Sequence, residues 1–248
     1  MRKIVILALV ALVLGSTVLI EMYQTIINPP DDYVPEGLPP LDVGIRRDYG
    51  FYKDGELVGN YSFWIEEFDN YKGQAAYYSR SLTTVTLEEA TIRLETSYIF
   101  NDDLSPLEYR LNASLADETH IIICNFDGWI VDVLREAQDM STENEVELAV
   151  NTVLIDNNML GHWDLFFKSF DPEPGKRLKF NMFVPQRLET REVNLMSEIG
   201  TKVITINGVE YECQLFGVPE LDLFFYIYQG ELLELRETTQ NVEIIRYI

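Results

Sequence analysis

Apolar residues recur at two different periods along this chain, and the change of period marks out its elements. From Ile45 onward they mostly alternate with polar ones. Ile92, Leu94, Tyr98 and Phe100 share one face, opposite Arg93, Glu95 and Ser97. Leu107, Tyr109, Leu111, Ala113 and Leu115 oppose Glu108, Arg110, Asn112 and Ser114, and Val209, Tyr211, Cys213 and Leu215 oppose Glu210, Glu212 and Gln214. A period of two means strands with one face in a core and one wet, which is the antiparallel pattern. Asp54-Gly55, Asp127-Gly128 and Asn207-Gly208 are two-residue hairpin signals between such runs, and Gln229-Gly230 is a weaker one. Arg135–Glu147 reads instead as an acidic loop or a short helix.

One stretch changes to the helical period. Over Asp156–Phe170, Met159, Leu160, Trp163, Phe166, Phe167 and Phe170 fall in an arc of about 120°. Asn158, Gly161, His162, Asp164, Lys168 and Ser169 take the other side. Asp156, Asn157 or Asn158 can cap the start, and Asp171-Pro172-Glu173-Pro174-Gly175 stops the helix. Burying that stripe is worth on the order of 10–15 kcal/mol gross, far more than the ~1 kcal/mol cost of an internal glycine. The stripe needs a broad apolar partner, and the chain offers a sheet. No period of 20–50 residues repeats, so propellers and solenoids are excluded. A meander of this many strands must curl or close. The expected fold is mainly β: a strongly curved antiparallel half-barrel packed around one mid-chain helix. A two-sheet sandwich with the helix at one end is the alternative.

The start of the chain follows neither period. Arg2 and Lys3 precede the uncharged apolar run Ile4–Ile20, and Glu21 closes it. The run lies at the lower edge of the ~17–25 residues that a span requires, and Met22 and Tyr23 extend it to residues 4–23. It reads as an uncleaved anchor, with a cleaved signal peptide as the alternative. The positive charges come first, so the N-terminus is expected in the cytoplasm and the rest outside. Residues 28–44 are rich in proline and acid and read as an extended, semi-rigid spacer. The expected organisation is therefore 1–27 membrane anchor, 28–44 spacer and 45–248 a single extracytoplasmic β-domain.

Charge and composition narrow the function. The 248 residues carry a formal net charge of −22. Such a surface excludes a nucleic-acid partner, which needs a basic footprint. The chain has two histidines, His120 and His162, and no zinc-type spacing, so neither a metal site nor a cofactor is expected. Nucleophile elbows, phosphate loops and dinucleotide fingerprints are absent from the sequence. Both histidines read as partly buried structural residues. Cys124 and Cys213 read as core-facing, either as two buried thiols or as a disulfide. Asn60 and Asn112 stand in Asn-x-Ser sequons and are possible glycosylation sites.

Three segments carry a resemblance: Gly55–Tyr61 (GELVGNY), Gly208–Cys213 (GVEYEC) and Phe225–Leu233 (FYIYQGELL). With the mid-chain helix and the export-type apolar run at the N-terminus, the chain resembles the open half-barrel of bacterial lipoprotein carriers (LolA/LolB-like) and related envelope proteins. That resemblance implies a concave face that binds acyl chains, and it carries no catalytic residue. The expected function is a membrane-anchored, extracytoplasmic and non-catalytic binding module for a hydrophobic ligand, a lipid or acyl chain, or for an envelope partner. Met159, Trp163, Phe166, Phe167 and Phe170 are the expected ligand contacts. The alternatives are a structural or assembly protein of the envelope with a self-filled core, and a carboxylate-dependent hydrolase.

Overall fold

The computed structural model describes residues 29–87, 90–115, 118–138, 140–156, 160–170 and 173–247. The apolar run expected to anchor the chain lies outside these. Among the described residues no helix is long and apolar enough to cross a membrane.

The described residues form one sheet and one α-helix. In chain order the strands are β1 (Asp31–Asp32), β2 (Arg46–Lys53), β3 (Glu56–Tyr71), β4 (Gln74–Leu87), β5 (Ala90–Phe100), β6 (Pro106–Leu115), β7 (Glu118–Asp127), β8 (Ile130–Ala137), β9 (Met140–Glu147) and β10 (Thr152–Leu154). Helix α1 (Leu160–Lys168) follows, then β11 (Arg177–Val184), β12 (Glu189–Ile206), β13 (Val209–Val218), β14 (Leu223–Tyr228), β15 (Glu231–Glu237) and β16 (Val242–Arg246). Two antiparallel meanders, β2 to β9 and β11 to β16, are joined where β16 pairs with β2. The ends of the domain thus meet in the middle of one continuous sheet, so the sandwich alternative does not apply. The expected hairpin turns are present. Asn207 and Gly208, for instance, take φ of 51° and 81°, the double left-handed turn that suits twisted strands. The Asp127-Gly128 signal is displaced by one residue: Asp127 pairs with Ile130, and Gly128-Trp129 make the turn.

The sheet wraps around α1. Strands on opposite sides of the sheet reach the same short helix. Tyr61 and Phe63 of β3, Tyr98 of β5, Phe180 of β11, Phe216 of β13 and Phe225 of β14 all touch it. The sheet does not close by hydrogen bonds, because its path ends at β9 on one side and at β11, flanked by β1 and β10, on the other. Its edge is covered instead. Phe180 faces the helix, at 4.6 Å from the Phe166 ring, while Phe183 meets Phe126 of β7 at 6.3 Å. An odd spacing along a strand points these two side chains to opposite faces. The β10–β11 edge is therefore buried on both sides. β1 and β10 pair with β11 in parallel, a departure from the all-antiparallel expectation.

Three further expectations are corrected. Arg135–Glu147 is neither loop nor helix. β8 and β9 run through it as a hairpin, and β9 (MSTENEVE) is almost wholly exposed and acidic, which guards a sheet edge. α1 is shorter than Asp156–Phe170 and is buried all round, with Gly161, His162 and Asp164 as buried as its aromatic stripe. On β13, Phe216 and Val218 face the helix core, whereas Tyr211 and Cys213 belong to a second cluster with Ile204, Ile206, Tyr226, Tyr228, Leu233 and Ile245. The β12–β13 arm, offset by a bulge between Ser197 and Thr201, supplies half of that cluster. Cys124 sits in the main core, and both cysteines are free, buried thiols.

The proline-rich segment is extended, as its prolines require, but it is docked rather than free. The Tyr33 N–H donates to Lys179 O at 2.8 Å, and its hydroxyl meets Ser169 Oγ at 2.7 Å in the core. Glu36 N donates to Ser169 O and Leu38 N to Asp102 O, while Leu38 and Leu41 pack on the core. Residues 29–42 thus strap the end of the barrel where α1 finishes.

The closeness of helix and sheet depends on Gly161. Its N–H donates to the Tyr61 hydroxyl at 2.7 Å, and a Cβ there would sit 2.3 Å from Phe63 Cδ2. Alanine is the better helix former by ~1 kcal/mol, but overpacking costs ~1–3 kcal/mol, and a fully buried ring has nowhere to go. Gly161→Ala should therefore lower the unfolding free energy by about 1–2 kcal/mol in urea titrations. An unchanged or higher midpoint would mean that Phe63 yields.

Candidate ligand-binding cavity

At the end of the barrel opposite the strap, the sheet holds a cavity of about 540 Å³. That volume lies within the ~300–1,000 Å³ range of small-molecule sites. Inward side chains of both meanders build its walls. Phe51 and Ile244 come from β2 and β16, Val85 and Leu94 from β4 and β5, and Met182, Leu223 and Leu235 from β11, β14 and β15. The space has a local cause. On β4 and β5 the inward positions facing the helix are small hydroxyl residues: Ser79, Ser81, Thr83 and Thr96, all buried. The Ser79 hydroxyl donates to Tyr98 O at 3.0 Å, and Ser81 bonds Thr96. Their polar groups are thus satisfied without occupying the interior.

The first turn of the helix and its neighbours form the floor, with Leu160, Trp163, Tyr61, Ile155 and Asp156. Asp156 is a buried carboxylate that accepts from the Tyr109 hydroxyl at 2.5 Å and from the Gln186 amide. Its own N–H donates to His162 Nδ1 at 3.0 Å. The neutral ring must then carry its proton on Nε2. His162 lies edge-on to Tyr98, with centroids 4.6 Å apart, and burial pushes its pKa down to about 3. Burial first, and the Asp156 carboxylate second, raise Tyr109 well above the ordinary tyrosine value. At neutral pH a protonated phenol behind the floor therefore donates to Asp156. Both Asp156 oxygens are engaged. Among the described residues no group of three or more His, Cys, Asp or Glu side chains could hold a metal ion.

The rim is charged. Lys53, Arg187 and Arg191 line it together with Glu189, Glu237 and Gln240. Gln186, tied to Asp156, anchors the turn that carries Arg187 to the cavity floor.

The expected contact residues are divided. Trp163 faces this cavity. Phe166 is fully buried core between Tyr33 and Phe180. Phe167 packs on Phe216 and Phe225, and with Phe170 it lines a different cleft of about 630 Å³ beneath the strap. Met159 lies outside the described residues. Asn60 is exposed and accepts from the Tyr247 hydroxyl at 2.9 Å, while Asn112 is half-buried. His120 is exposed beside Glu118, not partly buried. The rim cations were missed in the sequence because they sit in turns or among alternating strand residues, where a charge reads as solvated.

No family model matches the chain, and no curated protein matches it. Among solved structures it is similar to a beta-barrel-like protein of Domain of Unknown Function DUF1849 from Brucella abortus. Identity is 10%, coverage 82% of this chain and 94% of the other, and TM-score 0.47. It is also similar to a DUF1089 family protein from Pseudomonas aeruginosa, at 10% identity, covering 70% and 87% of the two chains, with TM-score 0.42.

Proposed function

We propose that this chain binds a hydrophobic ligand, a lipid or acyl chain, in the cavity above Trp163 and releases it unchanged. The Arg2/Lys3-led apolar run supports placing that module outside the cell on a membrane anchor. The observation that carries the reading is the cavity itself: apolar walls from seven different strands enclose about 540 Å³ that the protein's own side chains leave open. A self-filled structural protein has no use for that space, since an apolar void forfeits dispersion contacts along its whole lining. A hydrolase would need a second free carboxylate or a nucleophile beside Asp156, whose oxygens are already engaged.

Native mass spectrometry of the full chain, released gently from membranes, should show a co-purifying adduct of lipid mass. Leu94→Trp, which places a large ring in the cavity, should remove that adduct. Wild-type protein that carries no adduct and takes up no added long-chain amphiphile would sink the reading in favour of the structural alternative.

A further inference from the structure

Lys72, Arg110 and Arg135 stand apart from one another without an ion pair among the described residues, whereas the cavity's rim gathers three such cations at one mouth. The chain carries 41 acidic and 19 basic side chains, so a typical cation finds a carboxylate. At the strapped end they do. Arg47 and Arg246 both pair with Glu231, and Lys168 pairs with Asp164 and Glu231. Among the described residues, Lys53, Arg187 and Arg191 make no ion pair, although all three line one mouth. Lys53 donates to the Gln240 carbonyl and Arg191 to the Glu220 carbonyl, both uncharged acceptors. Of the two carboxylates at the same mouth, Glu237 is occupied by its own turn, accepting from Thr239 N at 3.0 Å and Gln240 N at 2.9 Å. Its charge remains, so the mouth holds three cations against the two carboxylates Glu189 and Glu237, a surplus of one positive charge in a strongly acidic chain.

Position gives this surplus a use. Cross-strand pairing aligns Lys53 with Val242 and Glu237 with Leu223 on inward positions, and Arg191 lies opposite Met182 on β11. Each rim charge therefore stands directly next to apolar wall. An amphiphile whose tail runs down past Leu94 and Val85 to Trp163 would leave its head at the level of these three cations. Guanidinium groups suit carboxylate and phosphate because they donate in a planar fork.

Building on the proposed ligand cavity, we propose that its ligand is a single-chain anionic amphiphile whose carboxylate or phosphate head is held by Arg187, Arg191 and Lys53. The test is a titration of the full chain, kept soluble in amphipol, with palmitate, hexadecyl phosphate and hexadecanol. The tails are the same length and the heads differ. Both anions should bind at least about tenfold more tightly than the alcohol at low salt, with the preference shrinking at high salt. The tighter of the two anions identifies the head. In the Arg187→Glu/Arg191→Glu variant the anion preference should vanish while hexadecanol affinity holds. Leu94→Trp should weaken all three alike, because each uses the same tail site. Equal affinity for the alcohol and both anions overturns the head-group assignment and leaves the cavity's role intact. Failure of all three to bind overturns the cavity reading as well.

Discussion

Trp163→Ala should lower the unfolding free energy by about 3–5 kcal/mol, the usual loss when a large aromatic leaves a packed core. The indole is 4% exposed and lies 4.6 Å from the Phe225 ring, with Phe166 and Phe180 at 6.0 and 6.3 Å. These partners belong to the helix and to two strands, which cannot all move inward to fill the gap. Trp163 also forms part of the floor of the cavity, so the variant should have a deeper pocket. If a tail reaches that floor, added amphiphile should recover part of the lost stability, because a ligand that binds the native state alone stabilises it by mass action. Chemical denaturation with and without palmitate measures both effects. A variant that melts within a few degrees of wild type would show that α1 is a loosely held cover rather than a plug.

Lys168→Met should be comparably costly, about 3–5 kcal/mol, for an electrostatic reason. The Lys168 ammonium bonds both Asp164 oxygens at 2.9 Å, and Asp164 is almost wholly buried, with Leu232 N as its other donor. Methionine keeps much of the volume and leaves that carboxylate unpaired. Lys168→Met/Asp164→Leu should recover most of the loss, since a buried pair can be replaced as a whole by apolar groups at little cost. The same cluster makes a prediction about pH. Burial alone would raise the Glu231 carboxyl, but Lys168, then Arg47 and Arg246, hold it down at about 2 against an ordinary 4.5. A depressed acid contributes stability above its unfolded value and loses it as pH falls through the folded one. Stability should therefore drop between about pH 4.5 and 2, and Glu231→Gln should flatten that slope. Glu234, raised by burial on the outer cluster, works in the opposite sense, so the difference between wild type and variant is the quantity to measure. Parallel slopes would remove Glu231 from the account.

The sequence was most legible where neighbours in sequence are neighbours in space. The hairpins at Asp54-Gly55 and Asn207-Gly208 follow from turn chemistry. The inward faces of β5 and β6 follow from alternation, with Tyr98, Phe100, Tyr109 and Leu111 all in the core. The same rule failed on β13. Two apolar environments flank that strand, and alternation tells only that Cys213 and Phe216 face opposite ways, not which side holds the helix. It failed on α1 for a related reason. A helical wheel assigns Asp164 to water by its polarity, whereas the sheet encloses the helix on every side, and Asp164 is served by Lys168 of the helix itself and by Leu232 N of β15.

The sequence by itself determined that this is a chain of antiparallel strands around one aromatic helix, because period, turn residues and helix stripe are local properties. It also set the surplus of acid over base, which makes an unpaired cation stand out. The tertiary structure alone decided that β16 closes on β2, that residues 29–42 strap one end, and that Lys53, Arg187 and Arg191 share a mouth. These bring together residues from distant parts of the chain, such as Lys53 with Arg187 and Tyr33 with Ser169. They are fixed by how a twisted sheet rolls around its plug, and no spacing along the chain records that.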